Sequence, residues 1–455
     1  MAADPIRRIF IANRGEIAVR VIRACKDLGI ETVAGVSAAD RGAMAARLAD
    51  RALCLGPSSA TQSYLRGDLL LHACLASGCD ALHPGYGFLS ERAAFARDCE
   101  HAGIRFIGPA PESIEAMGDK SNARAIAVRA GVPVVPGCDL LDGVGHAREV
   151  GRATGFPLLL KARAGGGGRG MRIVERMDDL ARAYAEASSE ANSAFGDGAL
   201  YAERYVRRGR HIEVQVLGDG RGKVLHLFER DCTTQRRHQK LIEEAPSPVL
   251  DARTRGRMLE AALSLARSVD YRGAGTIEFL LDSDTGEFFF LEMNTRIQVE
   301  HPVTEMLTGI DIVKQQIAVA ATGRLDLEQG DIAARGHVIE CRINAEDPRQ
   351  GFRPSPGRIA RWRPPRGQGV RLDSHCAEGD VVVPFYDSLI AKLIVAGRDR
   401  QDAIDRLLDS LERFQVDGIA TTIAFHRAAL SHPDFRKGEI TTRWVEESGM
   451  TETVA

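Results

Sequence analysis

Between Gly275 and Glu300 the chain carries two glutamates that a hairpin can bring together. Asp284-Thr285-Gly286 suits a three-residue hairpin loop, with glycine where a positive φ is needed. If Ser283 pairs with Glu287, Glu278 faces Glu292 across the ladder, with β-carbons about 5 Å apart. Two carboxylates so placed repel unless a proton or cation lies between them. Magnesium takes oxygen ligands and bridges to phosphates, so it fits that place.

Further on, Glu292, Asn294, Arg296, Gln298 and Glu300 alternate with Met293, Thr295, Ile297 and Val299. An extended chain puts those polar side chains on one face. An amphipathic strand with a solvated face would show the same alternation. An Arg and two amides among carboxylates, however, are unusual for such a face. His337 to Ala345 repeats the device with Glu340, Arg342 and Asn344.

Gly165-Gly166-Gly167-Gly168-Arg169-Gly170 lies between two strand-like runs. Backbone N–H groups bare of side chains can cradle phosphate oxygens, although a flexible hairpin reads the same way. No Gly-Lys pair is followed by Ser or Thr, so a Walker A loop is excluded. Lys161, just before the glycines, and Lys120 could supply positive charge to a polyphosphate, or could be surface lysines. Asp231 to Lys240 is dense in polar groups and could be a basic patch. It lacks interleaved aromatics and is followed by Glu243-Glu244, which argues against nucleic acid.

The elements that would position these groups follow from periodicity. Ile9–Ala12, Thr32–Val36, Ala52–Leu55, Ala81–His83 and Arg105–Ile107 read as strands separated by helical stretches. Ile17, Val21, Ile22, Cys25 and Leu28 recur at helical spacing until Gly29. That order predicts a parallel, doubly wound sheet. Asn13-Arg14-Gly15-Glu16 follows the first strand in place of GxGxxG, which disfavours a nicotinamide enzyme. Short helices are expected over 109–136. A compact unit with a glycine hairpin, the pattern of a mobile lid, follows over 137–206. Antiparallel strands begin near His211, a helix is expected from Asp251 to Val269, and the tail from Ala334 mixes strands with two helices.

The 455 residues suggest about three domains. Lys+Arg total 60 against 62 Asp+Glu, so no global charge draws the chain to nucleic acid or an anionic membrane. No run approaches the roughly 18 apolar residues of a membrane span, and the first residues lack a signal-peptide core. The 9 cysteines are scattered without metal or redox spacing, as expected of reduced thiols in a cytoplasmic protein.

Taken together, His83-Pro84-Gly85-Tyr86-Gly87-Phe88-Leu89-Ser90-Glu91, the glycine loop with Met171-Arg172, Glu229-Arg230-Asp231-Cys232 with Gln235-Arg236-Arg237-His238-Gln239-Lys240, and Glu292 through Pro302 resemble biotin carboxylase. So do Asn13 through Ala18 and Glu340 through Pro348, and the likeness runs from about residue 6 to 445. The resemblance implies an ATP-grasp fold, α/β and α+β. Its parts would be a Rossmann-like N-terminal domain (1–108), linker helices (109–136), a mobile lid (137–206), a central domain (207–333) and a mixed antiparallel C-terminal domain (334–455).

The implied reaction is ATP- and bicarbonate-dependent carboxylation of biotin through carboxyphosphate. By resemblance, Lys120, Lys161, Gly165, Gly166, Gly167, Gly168, Glu203, His211, Gln235, Glu278 and Leu280 contact ATP. Glu278, Glu292 and Asn294 would hold magnesium or manganese. Arg296, Gln298, Val299 and Lys240 would bind bicarbonate, whose planar anion suits the guanidinium fork. Glu300 is the expected base, Arg342 the stabiliser of deprotonated biotin, and Arg296 and Lys240 join them as catalytic residues. Tyr86, His238 and Asp387 would complete the biotin pocket with Arg342.

None of the 9 methionines precedes a lysine, so the Met-Lys-Met setting of a biotin carrier is missing and the chain ends soon after its last domain. Biotin is therefore expected on a separate biotin carboxyl carrier protein, with carboxyltransferase subunits completing an acetyl-CoA carboxylase. A homodimer is expected, with no nucleic acid or membrane partner. Ala164 shortens the glycine run, Gln368 replaces an aromatic of the dimer contact, and Thr442 stands where relatives carry an apolar residue under the adenine. Two other readings are an ATP-grasp ligase that hands an acyl phosphate to a different acceptor and a catalytically silent scaffold. Biotin dependence separates the first from a biotin carboxylase. Glu278, Glu292, Arg296, Glu300 and Arg342 are all present, which counts against the scaffold.

Overall fold

The computed structural model describes residues 5–138, 140–162 and 171–450. The chain divides into two compact units, one formed by 1–131, 210–279 and 291–455 and the other by 132–209 and 280–290. The expected glycine loop and Ala164 lie outside the described residues.

The larger unit opens with five parallel strands, β1 (Arg8–Ile11), β2 (Glu31–Ser37), β3 (Arg51–Gly56), β4 (Ala81–His83) and β5 (Arg105–Phe106), in the order β3-β2-β1-β4-β5. Central β1 is covered on both faces, which is why Ile9, Phe10 and Ile11 form a continuous apolar run rather than an alternating one. Each such buried side chain contributes roughly 1.5–3 kcal/mol. The helix Gly15–Asp27 packs Ile17, Val21, Ile22 and Cys25 inward. Leu28, expected on that face, is its exposed C-cap, because the chain turns at Gly29 with φ 69.

The smaller unit is a four-stranded antiparallel sheet of β6 (Gly137–Cys138), β7 (Leu158–Ala162), β8 (Met171–Val174) and β9 (Leu200–Arg204), in the order β6-β9-β7-β8. The helices Gly143–Thr154 and Leu180–Phe195 pack on it. Leu158, Leu160, Ala162, Leu200 and Ala202 form its core. Strict alternation leaves Lys161 and Glu203 on the opposite face.

An eight-stranded sheet contains β10 (Gly209–Asp219), β11 (Val224–Arg236), β12 (Gln239–Ala245), β13 (Arg272–Asp282), β14 (Phe288–Asn294), β15 (His337–Asn344), β16 (Val370–Ser374) and β17 (Leu389–Gly397). Its order is β14-β13-β10-β11-β12-β15-β17-β16. Register places Glu213 opposite Arg230, Gln235 opposite Lys240 and Glu243 opposite Glu340. Arg342, Lys392 and Asp373 form one row across β15, β17 and β16. The helix Ala252–Ser268 is capped by Asp251, whose carboxylate accepts from Thr254 N–H at 2.6 Å.

Three expectations need correction. Asp282, not Ser283, stands opposite Glu287: its N–H donates to Glu287 O and its O accepts from Gly286 N–H, both at 2.8 Å. Gly286, at φ 70, takes up the extra residue as a bulge. The extended run from Glu292 stops at Asn294, and 295–300 is a loop leading into the helices His301–Thr308 and Ile312–Thr322. Pro302 in the first turn and Gly309 at φ 76 after the last were the signals for the first of those helices. Among its described residues the tail holds four α-helices, Arg400–Arg413, Ile423–Ser431, Pro433–Lys437 and Trp444–Glu447, rather than two. Among the described residues, no helix is long and apolar enough to cross a membrane.

Candidate active site

The centre of the larger unit is a buried lattice of opposite charges around Lys240. Its ammonium donates to Glu213 Oε2 at 2.5 Å, Glu300 Oε1 at 2.7 Å and Glu278 Oε1 at 2.8 Å. Burial alone would lower a lysine, but these three carboxylates outweigh it and hold Lys240 well above its usual range. The second Glu300 oxygen accepts from Arg342 Nη2 at 3.0 Å, and Arg342 Nε donates to Glu243 at 2.6 Å. Burial pushes Glu300 up, yet the neighbouring Lys240, Arg342 and Arg230 prevail over it and over Glu213, leaving Glu300 below the ordinary carboxylate range. These neighbours thus favour the ionised form of Glu300.

Gln298 and Asn294 converge on the same place. Gln298 Nε2 donates to Glu278 Oε1 at 2.8 Å, and Asn294 Nδ2 donates to it at 3.0 Å. The loop thus achieves by bending what an extended strand was expected to do. His211 Nε2 lies 3.1 Å from Glu278 Oε2. Burial opposes its charge, but Glu278 wins and pushes it up to about 9. Arg296 is turned toward Glu91, to which Nε donates at 2.8 Å, and Nη2 donates to Asn294 Oδ1 at 2.8 Å.

Glu292 stands apart from this tight set. It is half-exposed, with Lys120 Nζ at 3.8 Å. Burial, and next the charge of Glu278, raise it. Among the described residues, the tight ligand clusters are His211/Glu213/Glu278 and Glu213/Cys232/Glu300. The Lys240 ammonium already contacts the carboxylate of Glu213, Glu278 and Glu300. Glu278 and Glu292 repel each other, and with the Asn294 carboxamide oxygen they offer the oxygen donors a hard divalent cation takes; here Lys240 and His211 hold Glu278 and Arg296 holds the Asn294 oxygen.

The other expected residues fall as follows. Gln235 is buried opposite Lys240, whereas His238 sits on the exposed β11–β12 turn, where both Arg237 and His238 have positive φ, 48 and 65. Tyr86 is half-buried with its hydroxyl donated to Glu16, in the field of both Arg342 and exposed Asp387. In the smaller unit, Lys161 pairs with Glu203, and Leu280 packs with Val135, Val206 and Phe289. Gly165 to Gly168 lie outside the described residues. Gln368 is exposed and Thr442 half-buried.

Sequence reasoning missed four members of the lattice. Arg230, wholly buried, donates to Glu213 at 2.6 Å, to Gln215 and Thr304 each at 2.8 Å, and to Gln298 Oε1 at 2.9 Å. Glu213, Glu243 and Glu91 are the others. His211, Glu213 and Gln215 alternate with Ile212, Val214 and Val216, a pattern as informative as the one read at 292–300.

A parallel five-stranded domain, an antiparallel domain carrying the lattice and a small antiparallel sheet with its own lysine–glutamate pair define an ATP-grasp enzyme. Residues 5–114 match the family model described as biotin carboxylase, N-terminal domain, and residues 340–447 match the biotin carboxylase C-terminal domain. Residues 119–328 match the carbamoyl-phosphate synthase L chain, ATP binding domain. The chain is 51% identical over 441 residues to a biotin carboxylase of Nostoc sp., covering 97% of this chain and 98% of that one. It is also 51% identical over 443 residues to a pyruvate carboxylase subunit of Methanothermobacter thermautotrophicus, covering 97% and 89% respectively. The biotin carboxylase domain dimer of Hydrogenobacter thermophilus 2-oxoglutarate carboxylase, solved with MgADP, ADP and bicarbonate, matches with a TM-score of 0.88 and 48% identity, over 98% of this chain and 99% of that one. The chain belongs to the biotin carboxylase family, and it is an ATP-dependent ligase.

Proposed function

We propose that this chain carboxylates biotin with ATP and bicarbonate, through carboxyphosphate, and that the Lys240-centred lattice is where bicarbonate is activated. The observation that carries this reading is the double grip on Glu300, by Lys240 at 2.7 Å and Arg342 at 3.0 Å. It keeps the carboxylate ionised and oriented. Bicarbonate arriving at Arg296, Gln298, the Val299 N–H and Lys240 adds negative charge beside Glu300 and raises its proton affinity. Glu300 then takes the bicarbonate proton, and the freed oxygen attacks the γ-phosphorus of ATP, releasing ADP.

Lys120, Lys161, Gly165 to Gly168, Glu203, His211, Gln235, Glu278 and Leu280 are the ATP contacts proposed from the family resemblance. Glu278, Glu292 and Asn294 would hold magnesium or manganese, which neutralises charge on the transferring phosphoryl group. Carboxyphosphate breaks down to carbon dioxide and phosphate, the released phosphate takes the ureido N–H proton of biotin, and the nitrogen so freed attacks the carbon dioxide. Arg342 would face the ureido oxygen, with Tyr86, His238 and Asp387 shaping the biotin pocket. The domain borders given above belong to this proposal.

Biotin is proposed to arrive on a carrier protein in the cytoplasm, with the chain acting as a homodimer beside carboxyltransferase subunits. Acetyl-CoA is the proposed final acceptor, a choice made by the carboxyltransferase and not by this chain. Pyruvate and 2-oxoglutarate, named for two relatives, are the competing acceptors. The test is ADP release by the purified chain with Mg-ATP, with and without bicarbonate and free biotin. Stimulation by biotin that vanishes without bicarbonate is expected. ATP hydrolysis indifferent to biotin would sink the reading in favour of another acceptor. Reconstitution with candidate carboxyltransferases then decides among acceptors.

A further inference from the structure

Lys392 lies on β17 with 0% exposure, and no step above uses it. An ammonium this deep is costly unless paired and hydrogen-bonded. Among the described residues its partners are Glu16 Oε1 at 3.0 Å and the main-chain oxygen of Val299 at 2.8 Å. Glu16 belongs to the first turn of the helix Gly15–Asp27 and also accepts from the Tyr86 hydroxyl. Glu340 and Asp373 lie in the field of the same ammonium.

The Val299 oxygen is the informative partner. Residues 295–300 belong to no strand, so no ladder fixes their backbone. The peptide bond is planar, so fixing the Val299 oxygen fixes the plane that contains the Glu300 N–H and leads directly to the Glu300 α-carbon. The same anchor limits rotation of the preceding peptide, which carries the Val299 N–H. A lysine that only balanced the charge of Glu16 would need no contact with that carbonyl.

We propose that Lys392 is a positioning residue for the bicarbonate half of the reaction: by tying the Val299–Glu300 peptide to Glu16, it aims the Glu300 carboxylate and the Val299 N–H at bicarbonate. This inference rests on the roles given to Glu300 and Val299 under the proposed function. A misplacement of about 1 Å can cost on the order of 100-fold in rate.

The test is Lys392→Met in the full chain, assayed by bicarbonate-dependent ADP release without biotin beside the wild type. The paired variant Glu16→Gln/Lys392→Met removes both buried charges and guards against a single variant that fails to fold. Expected is a rise of about 10–100-fold in the KM for bicarbonate, or an equal fall in kcat/KM for bicarbonate, with the KM for ATP within about twofold of wild type. A folded variant with wild-type bicarbonate kinetics would overturn the proposal. So would equal damage to ATP and bicarbonate parameters, or failure of both variants to fold, since each makes Lys392 a structural residue only. Wild-type protein without bicarbonate-dependent ADP release would instead refute the functional reading beneath it.

Discussion

Replacing Lys240 by methionine removes a cation that contacts Glu213, Glu278 and Glu300 at once. At the 2.7 Å separation from Glu300 and an effective dielectric of about 20, the gross attraction is ~6 kcal/mol. Desolvation offsets much of this, and breaking a buried pair typically costs ~3–5 kcal/mol. Spread over three carboxylates, about 1–2 kcal/mol falls on Glu300, which is roughly one pH unit in its titration. The sign is fixed by the direction of the shift. Glu300 is held below the ordinary range, so its ionised form and the stability it contributes are lost only as pH falls through that lowered value. Without Lys240 that loss begins at higher pH. In Lys240→Met, the acid limb of bicarbonate-dependent ADP release should move up by about one unit, alongside a large fall in rate. A folded variant whose acid limb stays at the wild-type position would refute this account of Glu300.

Glu300→Gln should leave ATP affinity, measured by nucleotide titration, close to wild type while cutting bicarbonate-dependent turnover at least ~100-fold, the scale of a lost general base; a loss below tenfold would count against the role. Arg342→Ala should impair biotin carboxylation more than bicarbonate-dependent ATP hydrolysis measured without biotin, and equal losses would place Arg342 elsewhere in the mechanism. Glu340 is wholly buried, neither of its oxygens has a hydrogen-bond partner among the described residues, and burial above all holds it well above the usual carboxylate range. Its stabilising contribution is complete below the unfolded value of roughly 4.3 and falls as pH rises. Glu340→Gln should therefore match or exceed the wild-type Tm at pH 8 and lose that advantage near pH 4. A Tm at pH 8 lower by more than about 4 °C, a loss of ~4 kcal/mol at roughly 2.1 cal/mol/K per residue, would show that the ionised form is needed.

The parallel domain was legible because β1 to β5 are short apolar runs with helical spacing between them, and a sheet buried on both faces leaves that imprint. The hairpin at Asp284–Gly286 was legible in kind but not in register, since the glycine bulge sets Asp282 rather than Ser283 opposite Glu287. Residues 292–300 show a subtler gap: Gln298 and Glu300 were named from an assumed strand, yet a loop delivers them. What alternation detected there was a chemical requirement for polar groups, not the backbone shape that meets it. Arg230 and Glu213 escaped because their role exists only across a register, between strands read one at a time. Apolar neighbours disguised them as ordinary strand residues.

The threefold grip on Lys240 also limits how such a sequence can drift. Glu213 is shared between Lys240 and Arg230, Glu300 between Lys240 and Arg342, and Arg342 between Glu300 and Glu243. Any single loss strands a buried charge elsewhere in the chain of contacts, so there is no neutral first step toward a rearranged centre. Descendants must keep the set intact or replace members together. Inheritance therefore treats these side chains, scattered from residue 213 to residue 342, as one indivisible unit.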